Sequence, residues 1–138
     1  MYNRQKEVRE AIMAGERALD SLYLADRKLS KASNWGLLDL FGGDLFSGLM
    51  KHSNLSDASV YLRRAQREVR SFRSELGDIR DIPDLDDEIG GFLTFADFFW
   101  DGFLADVMVQ SRIQEARRKL SDACSRIEAI LRELRMYQ

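Results

Sequence analysis

Two carboxylates and one imidazole are the side chains of this chain best suited to chemistry. Asp97 and Asp101 stand four residues apart, so a helix would carry both on one face, and His52 is the only histidine. Carboxylates at that spacing repel each other unless something positive lies between them. That positive charge could be a divalent cation, or a Lys, Arg or His from elsewhere in the chain. Carboxylates with an imidazole suit zinc, manganese or iron, with Asp39 or Asp44 as further ligands. The pattern lacks the Glu-x-x-His pairs of di-iron bundles and the paired histidines of helical zinc sites. The competing reading is a structural network in which His52, a Lys or an Arg neutralises the aspartates. It is the commoner arrangement, and buried carboxylates would require it.

These residues fall in two segments that lack a helical hydrophobic beat, Ser33 to Ser53 and Ile89 to Val109. Together they hold both tryptophans, seven of the eight phenylalanines and five aspartates. In the first, Gly42 and Gly43 predict a tight turn and Asp44 caps a weak helical turn as far as Lys51. A glycine-rich loop followed by a helix and a lysine has the parts of a phosphate cradle. Its glycines are not at the spacing of any such loop, and no strand precedes it. The reading adopted is a capping loop. Trp35, Leu37, Leu38, Leu40, Phe41, Leu45, Phe46 and Leu49 fold over the open end of a bundle. The second segment is apolar almost all round a helical wheel, as expected of a helix that is buried or meets a partner. Asp106 points away from Asp97 and Asp101.

The segments that must position these residues keep a strict four-three spacing. Val8, Ile12, Gly15, Leu19, Leu22, Asp26 and Leu29 predict a first helix over about Asn3 to Ala32, roughly 45 Å long. Gly15 would let a neighbour approach closely, and Asp26 must be rotated to the edge or paired. Ala58, Leu62, Ala65, Val69, Phe72 and Leu76 predict a second helix from Asn54 or Ser56 to Gly77, its remaining surface covered by five arginines. Asp78 to Glu88, with the only proline, reads as a loop. Ile113, Ala116 or Arg117, Leu120, Ala123 or Cys124, Ile127, Leu131 and Leu134 predict the last helix. It could extend back to Phe92, with a kink near Gly102 or a break near Gln110 and Ser111.

The fold class is therefore all-α: an antiparallel bundle of three or four helices with a glycine-and-aromatic capping loop, forming one domain over residues 1–138. The formal net charge is −2, which gives no global basic field for nucleic acid. The charge is uneven: Asp78 to Asp106 holds nine acidic residues and one Arg, and Ser111 to Gln138 holds seven basic and four acidic. The simplest expectation is intramolecular compensation. Cys124 reads as a buried hydrophobe. The first residues have no apolar run, and three aspartates between Gly90 and Val109 are too costly for a membrane span. A cytoplasmic protein is expected.

The run Ser33-Asn34-Trp35-Gly36, then Asp39, Gly42-Gly43 and Lys51-His52, and far downstream Phe98-Phe99, Asp101 and Asp106, resembles an uncharacterised family of small bacterial helical proteins. The likeness covers about half of the chain. It implies that Trp35, Gly36, Asp39, Gly42, Gly43, Lys51, His52, Phe98, Phe99, Asp101 and Asp106 are the family's signature, and it implies no activity, cofactor or substrate.

The leading expectation is a non-enzymatic structural or protein-interaction module without a cofactor. Its partner is a second copy through the seam of the first helix, or another protein. The alternatives are a divalent-metal protein or metal-dependent enzyme using His52, Asp97 and Asp101, and lipid binding through residues 92–104. The register itself is testable. Leu62→Ala should cost about 2–5 kcal/mol in a denaturant melt, as at other mid-core leucines; a loss below roughly 1 kcal/mol, the level of an ordinary surface change, would show that the seam is misplaced.

Overall fold

A computed structural model describes the backbone of residues 1–39, 44–99 and 113–138, and the side chains of residues 1–30, 60–97 and 115–138. Its described residues form four helices: α1 (Arg4–Asp39), α2 (Asp44–Gly77), α3 (Pro83–Phe99) and α4 (Ile113–Arg135). α1 packs on α2 and α4, and α3 packs on the same two, so the four close a ring around one core. Cross-helix pairs give the directions. Arg17 meets Glu68 at 3.6 Å, Asp26 meets Arg117 at 3.0 Å and Glu16 meets Arg135 at 3.3 Å. Arg126 lies over the Phe95 ring, and Glu88 shares a groove with Glu133. Each helix thus runs antiparallel to the next, in up-down-up-down order. The last turns of α1 and α3 and the first turns of α2 and α4 therefore lie at the same end.

The start of α1 is set by Asn3. Its side-chain Oδ1 accepts the Lys6 amide at 3.1 Å and its carbonyl accepts the Glu7 amide at 3.0 Å. This satisfies amides that have no partner inside the helix. The expected seam is buried at Val8, Ile12, Leu22 and Leu29, with Leu19 partly buried. A second seam accompanies it: Ala11, Ala14, Ala18, Ser21 and Ala25 are also buried. Helix α1 touches two neighbours, so its covered arc must be wider than one heptad stripe. Because this face is used inside the chain, a homodimer cannot form through it without unpacking the core. Asp26 lies at the edge, paired with Arg117. Leu62, Ala65, Val69, Phe72 and Leu76 of α2 are buried as their spacing predicts. On α4, Ala116, Leu120, Ala123, Cys124, Ile127, Leu131 and Leu134 are buried, joined by Ile130.

Two expectations require correction. The segment Ser33 to Ser53 is not a capping loop over most of its length: α1 continues to Asp39 and α2 begins at Asp44, ten or more residues before the expected start. Gly36 and Gly48 each stand alone inside a helix. A single glycine costs about 1 kcal/mol there and does not break it. The adjacent pair Gly42-Gly43 lies outside the described residues. The acidic stretch is also more helical than expected, because α3 starts at Pro83. Proline suits a first helical position, where its missing amide has no partner to lose, and Asp84 and Asp86 favour the same end of the dipole. Ile82, Leu85, Ile89, Phe92 and Ala96 make a further buried three-four seam. As expected, Phe92 to Tyr137 is not one straight rod: α3 ends at Phe99, α4 starts at Ile113 and the two run antiparallel; residues 100–112 lie outside the described residues.

At the lower end, the chain start is tied to the turn between α2 and α3. The Tyr2 hydroxyl donates to the Arg80 carbonyl and accepts the Arg80 amide, both at 2.7 Å, and Arg4 donates to the Asp81 carbonyl at 3.1 Å. Asp81 has φ 65°, a left-handed conformation that aspartate tolerates better than most residues.

At mid-height, Gly15 admits two neighbours. A Cβ there would lie 2.7 Å from Leu131 Cδ2 and 2.9 Å from Phe72 Cε1. Both side chains are fully covered, and Phe72 is held edge-on by Phe92 with ring centroids 5.4 Å apart. Gly15→Ala gains up to about 1 kcal/mol of helix propensity but overpacks this contact, which typically costs about 1–3 kcal/mol. The expected result in a urea melt is a net loss of roughly 1–2 kcal/mol. A net gain would mean that the two side chains yield freely.

Candidate carboxylate site

Helix α1 begins where α2 ends, so the first turns of one lie beside the last turns of the other. This brings Glu7 and Glu10, one turn apart on α1, next to Glu75 on α2. One ligand oxygen from each lies within 4.8 Å of the others. All three residues are half-buried. The nearest cations are peripheral: Lys6 Nζ is 3.9 Å from Glu10, and Arg17 is occupied with Glu68. Oε2 of Glu75 is buried and has no hydrogen-bond partner. Burial pushes the Glu75 carboxyl up from its usual range; Glu10, Asp78 and Glu7 push it further, and only Arg17 opposes them.

Three carboxylates this close have two ways to relieve their repulsion. Glu75 can take up a proton, or a cation can sit among them. The donors are all oxygen, without imidazole or thiolate. Such a set suits hard cations, namely magnesium, manganese or calcium, and not zinc or copper. Three protein carboxylates leave the remaining coordination positions to water.

The expected ligand set fares differently. Asp97 is 56% exposed, and its carboxylate takes Arg73 of α2 at 3.1 Å. For Asp97 the structural pairing therefore holds. His52 falls on α2, but its side chain lies outside the described residues, as does the whole of Asp101, so their convergence does too. Of the residues that carry the resemblance, Trp35, Gly36 and Asp39 fall on the last turns of α1, Lys51 on α2, and Phe98 and Phe99 at the end of α3. Their side chains, and all of Gly42, Gly43 and Asp106, lie outside the described residues. For lipid binding through 92–104, the described part faces inward: Phe92 and Ala96 are buried and Phe95 is partly so. Among the described residues no helix is long and apolar enough to cross a membrane.

Two of the other concavities that carry titratable groups lie against α4. One, of about 190 Å³ between α1 and α4, is lined by Tyr23, Asp26, Cys124 and Glu128. The Tyr23 hydroxyl donates to Glu128. That bond, burial and the nearby negative charge push the phenol up to about 12. Burial first, then Glu128 and Asp26, push the Cys124 thiol up to about 12 as well. Both stay protonated at neutral pH, so neither is an activated nucleophile. The other, of about 310 Å³ between α3 and α4, has Phe92 and Ile130 among mixed charges.

The glutamate triad escaped sequence reasoning because its members are two ordinary surface-type glutamates and a third more than sixty residues away. One signal was present: Glu75 directly precedes Leu76 of the buried seam, so its side chain starts close to the core.

The sign of the pH effect follows from the raised carboxyl. The folded state holds the Glu75 proton more tightly than the unfolded chain does. Its contribution to stability is full below the unfolded carboxyl value of about 4.3 and is lost as pH rises through the raised folded value. With chelator present, Glu75→Gln should stabilise at pH 7 by less than about 1 kcal/mol, the scale of a partly exposed charge interaction, and the gain should vanish near pH 4. Urea melts across pH check this, and a destabilised variant at pH 7 would contradict it. The chain matches no family model, no curated protein and no solved structure.

Proposed function

We infer that this helical bundle binds a divalent cation through Glu7, Glu10 and Glu75. The observation that carries this reading is the convergence of three carboxylates from two helices, one with a buried oxygen that no protein donor satisfies. Each lone feature has a simpler explanation, since exposed acidic groups often cluster without an ion. The combination is less ordinary, because leaving a buried acceptor unsatisfied costs about 1–3 kcal/mol unless something bonds to it.

The consequence would be mechanical. Glu7 and Glu10 sit in the opening turns of α1, and Glu75 sits one turn from the end of α2. A cation among them would clamp the chain start to the α2–α3 turn, beside the Tyr2–Arg80 hydrogen bonds. With few carboxylates and much water in the shell, the affinity expected is that of weak oxygen sites, a Kd of about 0.1–1 mM.

A second reading, a protein-interaction module, is favoured by a separate observation: Arg63, Arg64, Arg67 and Arg70 on α2 are exposed and have no acidic partner among the described residues.

The cation reading is tested by thermal melts in Mg²⁺, Mn²⁺ or Ca²⁺ against monovalent salt of equal ionic strength. Wild type should gain up to about 2.7 kcal/mol at one hundred times Kd. Glu75→Gln and the double variant Glu7→Gln/Glu10→Gln should lose that gain. His52→Ala should keep it; its loss there would move the site to the His52, Asp97 and Asp101 set. No cation-specific stabilisation of wild type at about 10 mM, well above the expected Kd, removes the reading.

A further inference from the structure

The outer faces of α1 and α4 carry acid–base pairs one turn apart, Lys6 with Glu10 and Asp122 with Arg126. Among its described residues, 60–77, the outer face of α2 shows no such pair. Arg63, Arg67 and Arg70, at steps of four and three, form a like-charged stripe that weakens its own helix. Part of the expected compensation occurs, since Asp97 pairs with Arg73 and Glu88 lines a groove with Arg126 and Arg132 of α4, whereas Asp86 and Asp87 at the start of α3 are exposed and have no ion pair among the described residues. Exposed charges of one sign on each of two neighbouring helices make a surface that a partner of matching charge can complement.

The arginines of α2 and Asp86 and Asp87 of α3 border one face, while Glu88 lies on the flank towards α4. Arg73 of α2 pairs with Asp97 of α3, which marks the line where the two helices meet. Arg70 lines the same shallow groove with Asp97. Arg63 is two turns beyond Arg70 on nearly the same bearing. On α3, Asp86, Gly90, Leu93 and Asp97 follow steps of four, three and four, so Asp86 shares the flank of Asp97, with Asp87 beside it on the outward side. α2 and α3 run in opposite directions. From the Arg73–Asp97 pair, ten residues along α2 reach Arg63 about 15 Å towards one end of the bundle. Ten or eleven residues back along α3 reach Asp87 and Asp86 about 15–16 Å towards the other. The face is basic at one end and acidic at the other, with a neutral pair midway.

We propose that this α2–α3 face binds a second copy of the chain around a two-fold axis near the Arg73–Asp97 pair. That operation lays Arg63, Arg67 and Arg70 of each copy against Asp86 and Asp87 of the other. The same surface patch serves both copies, as a two-fold interface requires. The overall charge of −2 disfavours a nucleic acid as the occupant of the basic stripe, whereas a second copy supplies the matching acid in the right place.

Solution mass by light scattering tests this with the full chain at low and high salt. Wild type should show a concentration-dependent dimer at about 50 mM salt that dissociates at about 0.5 M, where charges are screened within a few ångströms. Arg63→Glu/Arg70→Glu and Asp86→Lys/Asp87→Lys should each weaken the dimer about tenfold or more, with circular dichroism confirming that both remain helical. The decisive arm is the equimolar mixture of the two variants. Only the mixed pair restores opposite charges at both contacts, so the dimer should return. A wild type that stays monomeric at low salt, a dimer indifferent to salt and to both variants, or a mixture no more associated than its components would each overturn the proposal.

Discussion

Phe72 of α2 and Leu131 of α4 converge on α1 at a point where no side chain fits, and Gly15 supplies none. The contact acts as a registration mark. A shift of α1 by one turn would drive Ala14 or Ala18 away from the neighbours they cover and put a Cβ under Phe72. Close packing makes such a shift costly in either direction, through overlap on one side and a void on the other. With this contact in place, the antiparallel sense of α1 and α2 sets the rest of the alignment. Arg17 falls opposite Glu68, and Glu7 and Glu10 fall opposite Glu75. The carboxylate triad is therefore a consequence of core packing two turns away.

The aliphatic seams were legible in the sequence because they obey a rule that depends only on helical geometry. Leu62, Val69, Phe72, Leu120, Ile127 and Leu134 are buried where their spacing puts them. What escaped obeys rules that depend on neighbours. Ala11, Ala14, Ala18 and Ala25 are buried because α1 has partners on two sides. Alanine is common on solvated helix faces, so its presence did not reveal this. The stretch with Pro83 reads as a loop, yet proline suits a helix start, and the isolated Gly36 and Gly48 merely weaken helices that continue through them. The site was least legible of all. Glu7 and Glu10 look like any charged pair, and nothing short of the register shows that Glu75 joins them. Asp97, by contrast, drew notice through its spacing from Asp101, and it is held by the plain ion pair with Arg73.

The two flanks of α2 carry opposite charge, and this asymmetry links the readings without making them depend on each other. Glu68 and Glu75 lie on the side that faces α1, where Arg17 reaches the first and Glu7 and Glu10 crowd the second. Arg70 and Arg73 lie on the side that faces α3, beside Asp97. A cation or proton at the first flank changes the field there. The second flank lies across the helix, beyond the width of the α2 backbone, and exposed charges at that distance are largely screened at physiological salt. Loss of the proposed cation site would loosen the lower end of α1, while loss of the basic stripe would leave every core contact in place. The core of α2 (Leu62, Ala65, Val69, Phe72 and Leu76) is common to both, and it is what holds the two flanks in fixed orientation. One buried seam thus aims two surfaces of opposite sign in two directions, and a substitution on either surface can be read separately as long as that seam stays packed.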